Sequence, residues 1–165
     1  MYVRQAKVED AENLINLIKE VEATSNFMLM EPGERQTSPE QQVKVMERNE
    51  KQSNATILVA KDDGKLIGYM MLMGGTAKKN QHNAYIVIGI LESYRGKGVG
   101  TALFEYAEKW AIENNISRLE LTTITENAAG VALYKKRGFE IEGVKRNSLK
   151  INGEFVDEYY MSKLL

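Results

Sequence analysis

Residues 84–101 read AYIVIGILESYRGKGVGT, and this stretch decides the fold. Ala84 to Leu91 is a dense run of strand formers, while Val99, Leu103, Tyr106, Ala107 and Trp110 recur at the spacing of one helix face. Between them lie Gly96, Gly98 and Gly100, so a glycine-rich turn joins a buried strand to an amphipathic helix. The first turn of a helix has unpaired N–H groups and a partial positive charge, which attract phosphate. The glycines let a ligand approach the backbone closely, and Arg95 and Lys97 add positive charge nearby. The layout from Arg95 to Thr101 suits a diphosphate. It matches neither of two familiar nucleotide motifs. A P-loop requires Ser or Thr after Gly-Lys, where Gly98 stands, and a dinucleotide fingerprint requires a glycine where Thr101 stands.

Upstream of this unit, Met1 to Ala6 reads as a strand. Asp10 occupies an N-cap position before Ala11, Leu14, Ile15, Ile18 and Val21, which lie at helical spacing. Thr24 to Pro39 breaks the pattern around Pro32-Gly33 and reads as a long loop of the kind that often serves ligands. Ser38-Pro39-Glu40-Gln41 is a capped start for a charged surface helix running to about Gln52. Ala55 to Ala60 and Leu66 to Met73 read as a hairpin around Asp62-Asp63-Gly64. Downstream, Arg118 to Thr123 is a strand, Asn127 to Arg137 a short helix and Gly138 its stop. Phe139 to Lys145 and Phe155 to Met161 flank a second hairpin turn at Asn152-Gly153.

A chain of 165 residues with 43% hydrophobic and 27% charged residues and 2 prolines matches an ordinary globular protein with one core. Its net charge of -1 supplies no basic stripe, so nucleic acid is not an expected partner. The absence of cysteine excludes disulfides, zinc thiolates and a Cys nucleophile and fits a reducing compartment. The start of the chain has no signal-peptide pattern and no apolar run spans a bilayer, so a cytoplasmic protein without a membrane partner is expected. No repeat or linker divides the chain, which reads as a single domain over residues 1–165.

Arg95-Gly96-Lys97-Gly98-Val99-Gly100 resembles the Q/R-x-x-G-x-G/A signature of the GNAT superfamily of acetyl-CoA-dependent N-acetyltransferases. A second element of that superfamily has its counterpart in Asn127-Ala128, Leu133-Tyr134 and Gly138-Phe139, and the tail is similar to bacterial ribosomal-protein and small-amine acetyltransferases. The resemblance implies an α/β (α+β) fold: a mixed, mostly antiparallel, splayed sheet flanked by helices, whose strands before Arg95 and around Leu119 part like a V. It places acetyl-CoA in that gap. The backbone of Arg95, Gly96, Lys97, Gly98, Val99, Gly100 and Thr101 would hold the pyrophosphate, Gly89, Ile90 and Leu91 would pair with pantetheine, and Asn127 would touch the same arm. An N–H near Ile90 or Leu91 would polarise the thioester carbonyl. The family usually carries a bulge in that strand and often a proline where Glu92 stands.

Acetyl transfer requires a neutral amine, and removing the proton from an alkylammonium of pKa about 10 near neutrality costs roughly 4 kcal/mol. The resemblance makes Tyr134 the general acid toward the departing CoA thiolate, whereas a tyrosine on a short helix is otherwise more often simply packed. For the base, Glu92 ends the cofactor strand and Glu31, with Glu34, lies in the long loop; solvated surface carboxylates are the plainer reading of all three. His82, the only histidine, reads as a turn residue, and Met28, Met30, Met70, Met71 and Met73 as packing. The expected partner is a small-molecule or peptide amine, with a possible homodimer through the last strands. The competing class is a binding module that retains the CoA cleft as a sensor or scaffold without turnover.

Overall fold

The computed structural model describes residues 1–165. Seven strands form one open sheet: β1 Tyr2–Gln5, β2 Ala55–Asp62, β3 Lys65–Gly74, β4 Asn83–Ile90, β5 Arg118–Ile124, β6 Glu140–Ile151 and β7 Glu154–Leu164. Their order across the sheet is β1-β2-β3-β4-β5-β7-β6, and every neighbouring pair is antiparallel except β4 and β5. Four helices flank it: α1 Ala11–Thr24, α2 Pro39–Glu50, α3 Val99–Glu113 and α4 Ala128–Lys136.

The parallel pair is the feature that matters for the site. β4 and β5 are in register only at Asn83 with Arg118, Ala84 with Leu119 and Tyr85 with Glu120. Beyond those pairs the strands part, leaving a V between Ile86–Ile90 and Leu121–Ile124. One side-chain hydrogen bond crosses near its point, 2.7 Å between the Tyr85 and Thr122 hydroxyls. The sheet's faces follow from side-chain alternation. A Cβ on Gly68 would touch Val99 and Leu103 of α3, and Gly68 lies opposite Ile90, so Gly68 and Ile90 face α3. Tyr69 and Gly89, the next pair, therefore face the opposite side, where α1 packs on β3 and β4. Leu14, Ile18 and Val21 from α1 and Leu103, Phe104 and Ala107 from α3 are buried on these two faces.

Local chemistry explains the element ends. At α2 the Ser38 hydroxyl accepts from the Gln41 N–H at 3.2 Å while the Gln41 side chain accepts from the Ser38 N–H at 2.8 Å, with Pro39 as the first helical residue. In both hairpins a residue pair with positive φ makes the turn, Asp63-Gly64 at 48° and 77° and Asn152-Gly153 at 50° and 81°. The last hairpin is longer than the sequence suggests, because β6 and β7 continue past Lys145 and Met161 to the Asn152-Gly153 turn and to Leu164. Ladder pairing sustains exposed polar residues there that carry no hydrophobic signal.

Two expectations are corrected. β3 and β4 keep an unbroken register from Gly74 opposite Ala84 to Gly68 opposite Ile90, so β4 has no bulge. Pairing extends one further step, and the Leu91 N–H donates to the Ile67 carbonyl at 2.9 Å. Asp10 stands at the N-cap of α1 without capping it, because the chain first makes a 3-10 turn over Val8–Asp10. The Asp10 carboxylate instead accepts from Arg4 Nη1 and Nη2 at 2.7 and 2.9 Å and from the Lys7 N–H at 2.7 Å, tying β1 to the entry of α1.

The hydrogen bonds from Arg4 hold the Asp10 carboxyl below the usual carboxylate range. A depressed folded-state pKa stabilises the fold fully above the ordinary carboxylate pKa of about 4, and the contribution fades as pH falls through the depressed value. Arg4→Met is expected to cost about 1 kcal/mol at neutral pH. Its stability deficit relative to wild type should shrink toward zero in denaturant melts at acid pH; a deficit independent of pH would show that the pair contributes only packing.

Candidate active site

Gly98 caps α3 in the left-handed region at φ 83°, and Gly96 is left-handed at φ 73°. Space is open where their side chains would stand, so conformation alone requires glycine at both. Gly100 is glycine for a different reason. A Cβ there would lie 2.7 Å from Leu133 Cδ2 and 3.4 Å from Ile90 Cδ1, so the glycine turn, β4 and α4 meet at this residue. No N–H from Gly96 through Thr101 has a protein acceptor; the ladder resumes with the Ala102 N–H on the Gly98 carbonyl at 3.1 Å. Six consecutive backbone donors at a helix N-terminus are thus free to receive an anion. Arg95 and Lys97 are exposed, Arg95 Nε at 3.4 Å from the Ile90 carbonyl and Lys97 Nζ 5.5 Å from the centre of the Tyr94 ring.

In an antiparallel pair, hydrogen-bonded residues alternate along the strand. The bonds from Leu91 N–H to Ile67 and from Gly75 N–H to Asn83 set that alternation on β4. The N–H groups of Gly89 and Leu91 therefore point to β3, and those of Ile88 and Ile90 point into the V. Of the three residues named for the cofactor strand, Ile90 offers an N–H to a molecule lying in the gap. Leu91 does not, because its N–H is taken by the Ile67 carbonyl; of the two N–H groups expected to polarise the thioester, that of Ile90 alone faces the gap.

Tyr134 is held from both ends of α4. At the start, Asn127 Oδ1 accepts from the Gly130 N–H at 3.1 Å; a side chain on Gly130 would collide with Asn127, 2.4 Å from its Nδ2. At the end, the Gly138 N–H bonds the Lys135 carbonyl at 3.0 Å and the Phe139 N–H bonds the Tyr134 carbonyl at 2.9 Å, with Gly138 at φ 92°. This is the Schellman stop, in which the residue after glycine packs back on the one supplying the outer carbonyl. The Leu-Tyr and Gly-Phe elements of the sequence are the two halves of that device. Phe104 packs edge-on against Tyr134 and Phe139, with ring centroids 5.9 and 5.5 Å away, and completes the clamp.

The Tyr134 side chain is only 8% exposed, and its hydroxyl has no protein partner. The buried polar side-chain atoms that lack a partner are Gln42 Nε2, Asn83 Oδ1 and Arg137 Nε, so the Tyr134 oxygen keeps access to solvent. Burial, with a smaller contribution from Tyr85, pushes its pKa up to about 12. At neutral pH it is a fixed hydrogen-bond donor.

Other residues singled out from the sequence are less engaged. Asn127 uses Oδ1 as the α4 cap, and its Nδ2 reaches the Thr123 hydroxyl at 3.4 Å. Glu92 begins a single 3-10 turn after β4, exposed, and Glu31 is exposed in the loop between α1 and α2, its N–H 3.4 Å from Glu34 Oε1. Neither carboxylate makes an ion pair. His82 is an exposed turn residue whose carbonyl accepts from Ser117 and Arg118.

Three residues absent from the sequence reading also gather on the α1 face. Glu22, 3% exposed, receives Arg35 through Nε at 2.9 and 3.1 Å and Nη2 at 2.8 Å, which pins the long loop to α1. Both charges act on the Tyr69 hydroxyl. Glu22 carries a signal in the sequence, since it lies four residues after Ile18 on the apolar stripe of α1. Tyr69 carries none, because a tyrosine in a strand reads as core.

The environment of Tyr134 can be checked directly. The wild type minus Tyr134→Phe difference in alkaline ultraviolet titration should give one tyrosinate with a midpoint near 12 rather than the ordinary 10. A midpoint near 10 would mean that the ring is not buried as described.

Comparison with known proteins agrees with this geometry. The family model described as Acetyltransferase (GNAT) family matches residues 21–139. An L-amino acid N-acetyltransferase of Escherichia coli (strain K12) is 34% identical over 111 residues, 65% of this chain and 67% of its own length. A GNAT-family acetyltransferase of Streptococcus pneumoniae superposes with a TM-score of 0.95 at 31% identity, covering 99% of this chain and 98% of that one. A protein of Salmonella typhimurium, solved with its cofactor acetyl-CoA, shares the fold with a TM-score of 0.87 at 16% identity, over 99% of this chain and 92% of its own. With a family match over most of its length and a splayed sheet whose glycine turn leaves a row of free amides, the chain belongs to the GNAT acetyltransferase family and is an acyltransferase.

Proposed function

We propose that this protein transfers the acetyl group of acetyl-CoA to a primary amine of a small molecule or of a protein N-terminus by direct attack, with Tyr134 as the acid toward the CoA thiolate. Acetyl-CoA is the cosubstrate. The observation that carries the reading is the run of unpartnered N–H groups from Gly96 to Thr101 at the mouth of the V. These amides and the charges of Arg95 and Lys97 take the pyrophosphate, and pantetheine lies along β4, meeting the Ile88 and Ile90 N–H groups. Gly89 and Leu91 line that strand without donating to the arm, and Asn127 borders it from the start of α4. The Ile90 N–H polarises the thioester carbonyl; one such preorganised donor is worth about 3 kcal/mol of barrier.

The neutral amine attacks the carbonyl carbon, the N–C bond forms, and collapse of the tetrahedral intermediate breaks the C–S bond. The proton released by nitrogen passes to Glu92 or Glu31 or directly to water. Full transfer from a phenol of pKa about 12 to a thiolate whose acid has an ordinary pKa of about 8.5 would be uphill by roughly 5 kcal/mol. Tyr134 therefore acts mainly by donating a hydrogen bond to the developing negative charge on sulfur. Its hydroxyl, open to solvent, hands the thiolate a proton only as water replaces it.

Calorimetry should detect acetyl-CoA binding at tens of micromolar, and a thiol-release assay over a panel of amines should detect CoA above the background of hydrolysis. No binding would overturn the reading, and binding with release at background for every amine would leave a CoA-binding module without turnover. Tyr134→Phe is expected to lower kcat at least about tenfold with cofactor affinity nearly kept, as for a group that acts only in the transition state; unchanged kcat removes Tyr134 from the mechanism.

The same reading includes a homodimer through the last strands, supported by Ile141, Val144 and Phe155, which are exposed along β6 and β7. Sedimentation at micromolar concentration should give twice the monomer mass, and Phe155→Asp should halve it. A wild-type monomer at that concentration would end the dimer reading.

A further inference from the structure

Helix α4 is nine residues long, and Tyr134 is the only one of them that is buried. A helix that short is marginal by itself, and one buried ring does little to hold its axis against the rest of the protein. Its placement therefore depends on what ties its two ends. At the start the tie is to β5: the Asn127 N–H donates to the Ile124 carbonyl at 2.9 Å, and Asn127 Nδ2 reaches the Thr123 hydroxyl at 3.4 Å. At the other end the tie comes from residues distant in the chain.

Lys163, on β7, donates from its ammonium to the Arg137 carbonyl at 2.7 Å, just past the last residue of α4, and to Glu108 Oε1 on α3 at 2.7 Å. Glu108 Oε2 accepts from Arg137 Nη2 at 3.3 Å, so one carboxylate joins two cations, and all three groups are partly buried. Carbonyls at the end of a helix carry partial negative charge, which suits a cation there. Gly138 leaves the lysine its path, since a Cβ at that residue would stand 3.2 Å from Lys163 Cε and 3.3 Å from Nζ. The peptide between Arg137 and Gly138 thus has its oxygen on Lys163 and its N–H on the Lys135 carbonyl at 3.0 Å. The next N–H, of Phe139, is on the Tyr134 carbonyl at 2.9 Å, so the ammonium is fixed to the same turn that fixes the tyrosine.

We propose that Lys163 is a positioning residue for acetyl transfer: by joining the end of α4 to α3 through Glu108, it holds Tyr134 in line with the departing thiolate. It acts through Tyr134 and not on either cosubstrate. This inference rests on the reading of Tyr134 as the donor to the thiolate and extends it to the group that keeps the ring in place.

The test is a kinetic cycle of Lys163→Met, which keeps the aliphatic stem and removes the donors, with Tyr134→Phe, each variant first shown to melt cooperatively. Lys163→Met should lower kcat at least about tenfold, because a misplaced catalytic group costs up to about a hundredfold, while calorimetry finds acetyl-CoA affinity nearly kept. In the Tyr134→Phe background the same substitution should change kcat less than about twofold, the mark of two residues acting through one group. Fluorine NMR of protein labelled with 3-fluorotyrosine reads the ring itself. The Tyr134 signal, identified by its loss in Tyr134→Phe, should stand apart from the exposed tyrosines through the ring currents of Phe104 and Phe139, and Lys163→Met should move it toward them. Wild-type kcat in Lys163→Met, equal losses in the two backgrounds, or an unmoved signal overturns the inference. If Lys163→Met does not fold, Glu108→Gln, which keeps an acceptor for Arg137 but removes the charge that holds Lys163, decides by the same three readings. Unchanged kcat in Tyr134→Phe sinks the reading beneath as well, whereas a slow Tyr134→Phe with equal Lys163→Met losses sinks the Lys163 inference alone.

Discussion

The site depends on one constraint of backbone chemistry: every buried N–H needs an acceptor, and this fold withholds acceptors along one line. The β4–β5 ladder stops after Tyr85 and Glu120, so the Ile88 and Ile90 donors face a gap instead of a strand. The donors from Gly96 to Thr101 face outward because a helix cannot bond its own first turn. An elongated ligand with a carbonyl-bearing arm and an anionic end matches both sets. The continuity of β3 with β4 up to Leu91 makes the arrangement selective, since it occupies alternate donors and leaves the others pointing one way.

Around that line, the fold places two tyrosines by opposite means. Tyr134 is clamped by helix caps and by Phe104 and Phe139, so a short helix of nine residues holds a ring that its own propensity would not fix. Tyr69 is placed by a missing side chain, because Gly89 leaves the volume that its ring occupies. In both cases an apolar ring is buried to bring one hydroxyl to a defined spot, and the burial that fixes it keeps it protonated. Each is a donor at neutral pH, one on each face of the V.

Much of this was legible in the residues. The capping box at Ser38, the turns at Asp63-Gly64 and Asn152-Gly153, the glycine turn before α3 and the stop at Gly138 rest on interactions among neighbours in the chain, so their signals are local. Asp10 misled because its carboxylate chose between the α1 terminus and Arg4, and a guanidinium offering two hydrogen bonds prevailed. The absent bulge in β4 and the occupied Leu91 N–H depend on how far β3 accompanies β4, which no local pattern records.

The sequence by itself determined the order of elements, the glycine turn before α3 and the family likeness, because helix periodicity, turn residues and glycine conformation act within a few positions of each other. Tertiary structure alone decided where β4 and β5 separate, which β4 donors face the gap, and that Glu22, Arg35 and Tyr69 gather beside Gly89. Those outcomes are set by sheet register and by close approach between residues dozens of positions apart, and such distances are fixed only once the chain has packed.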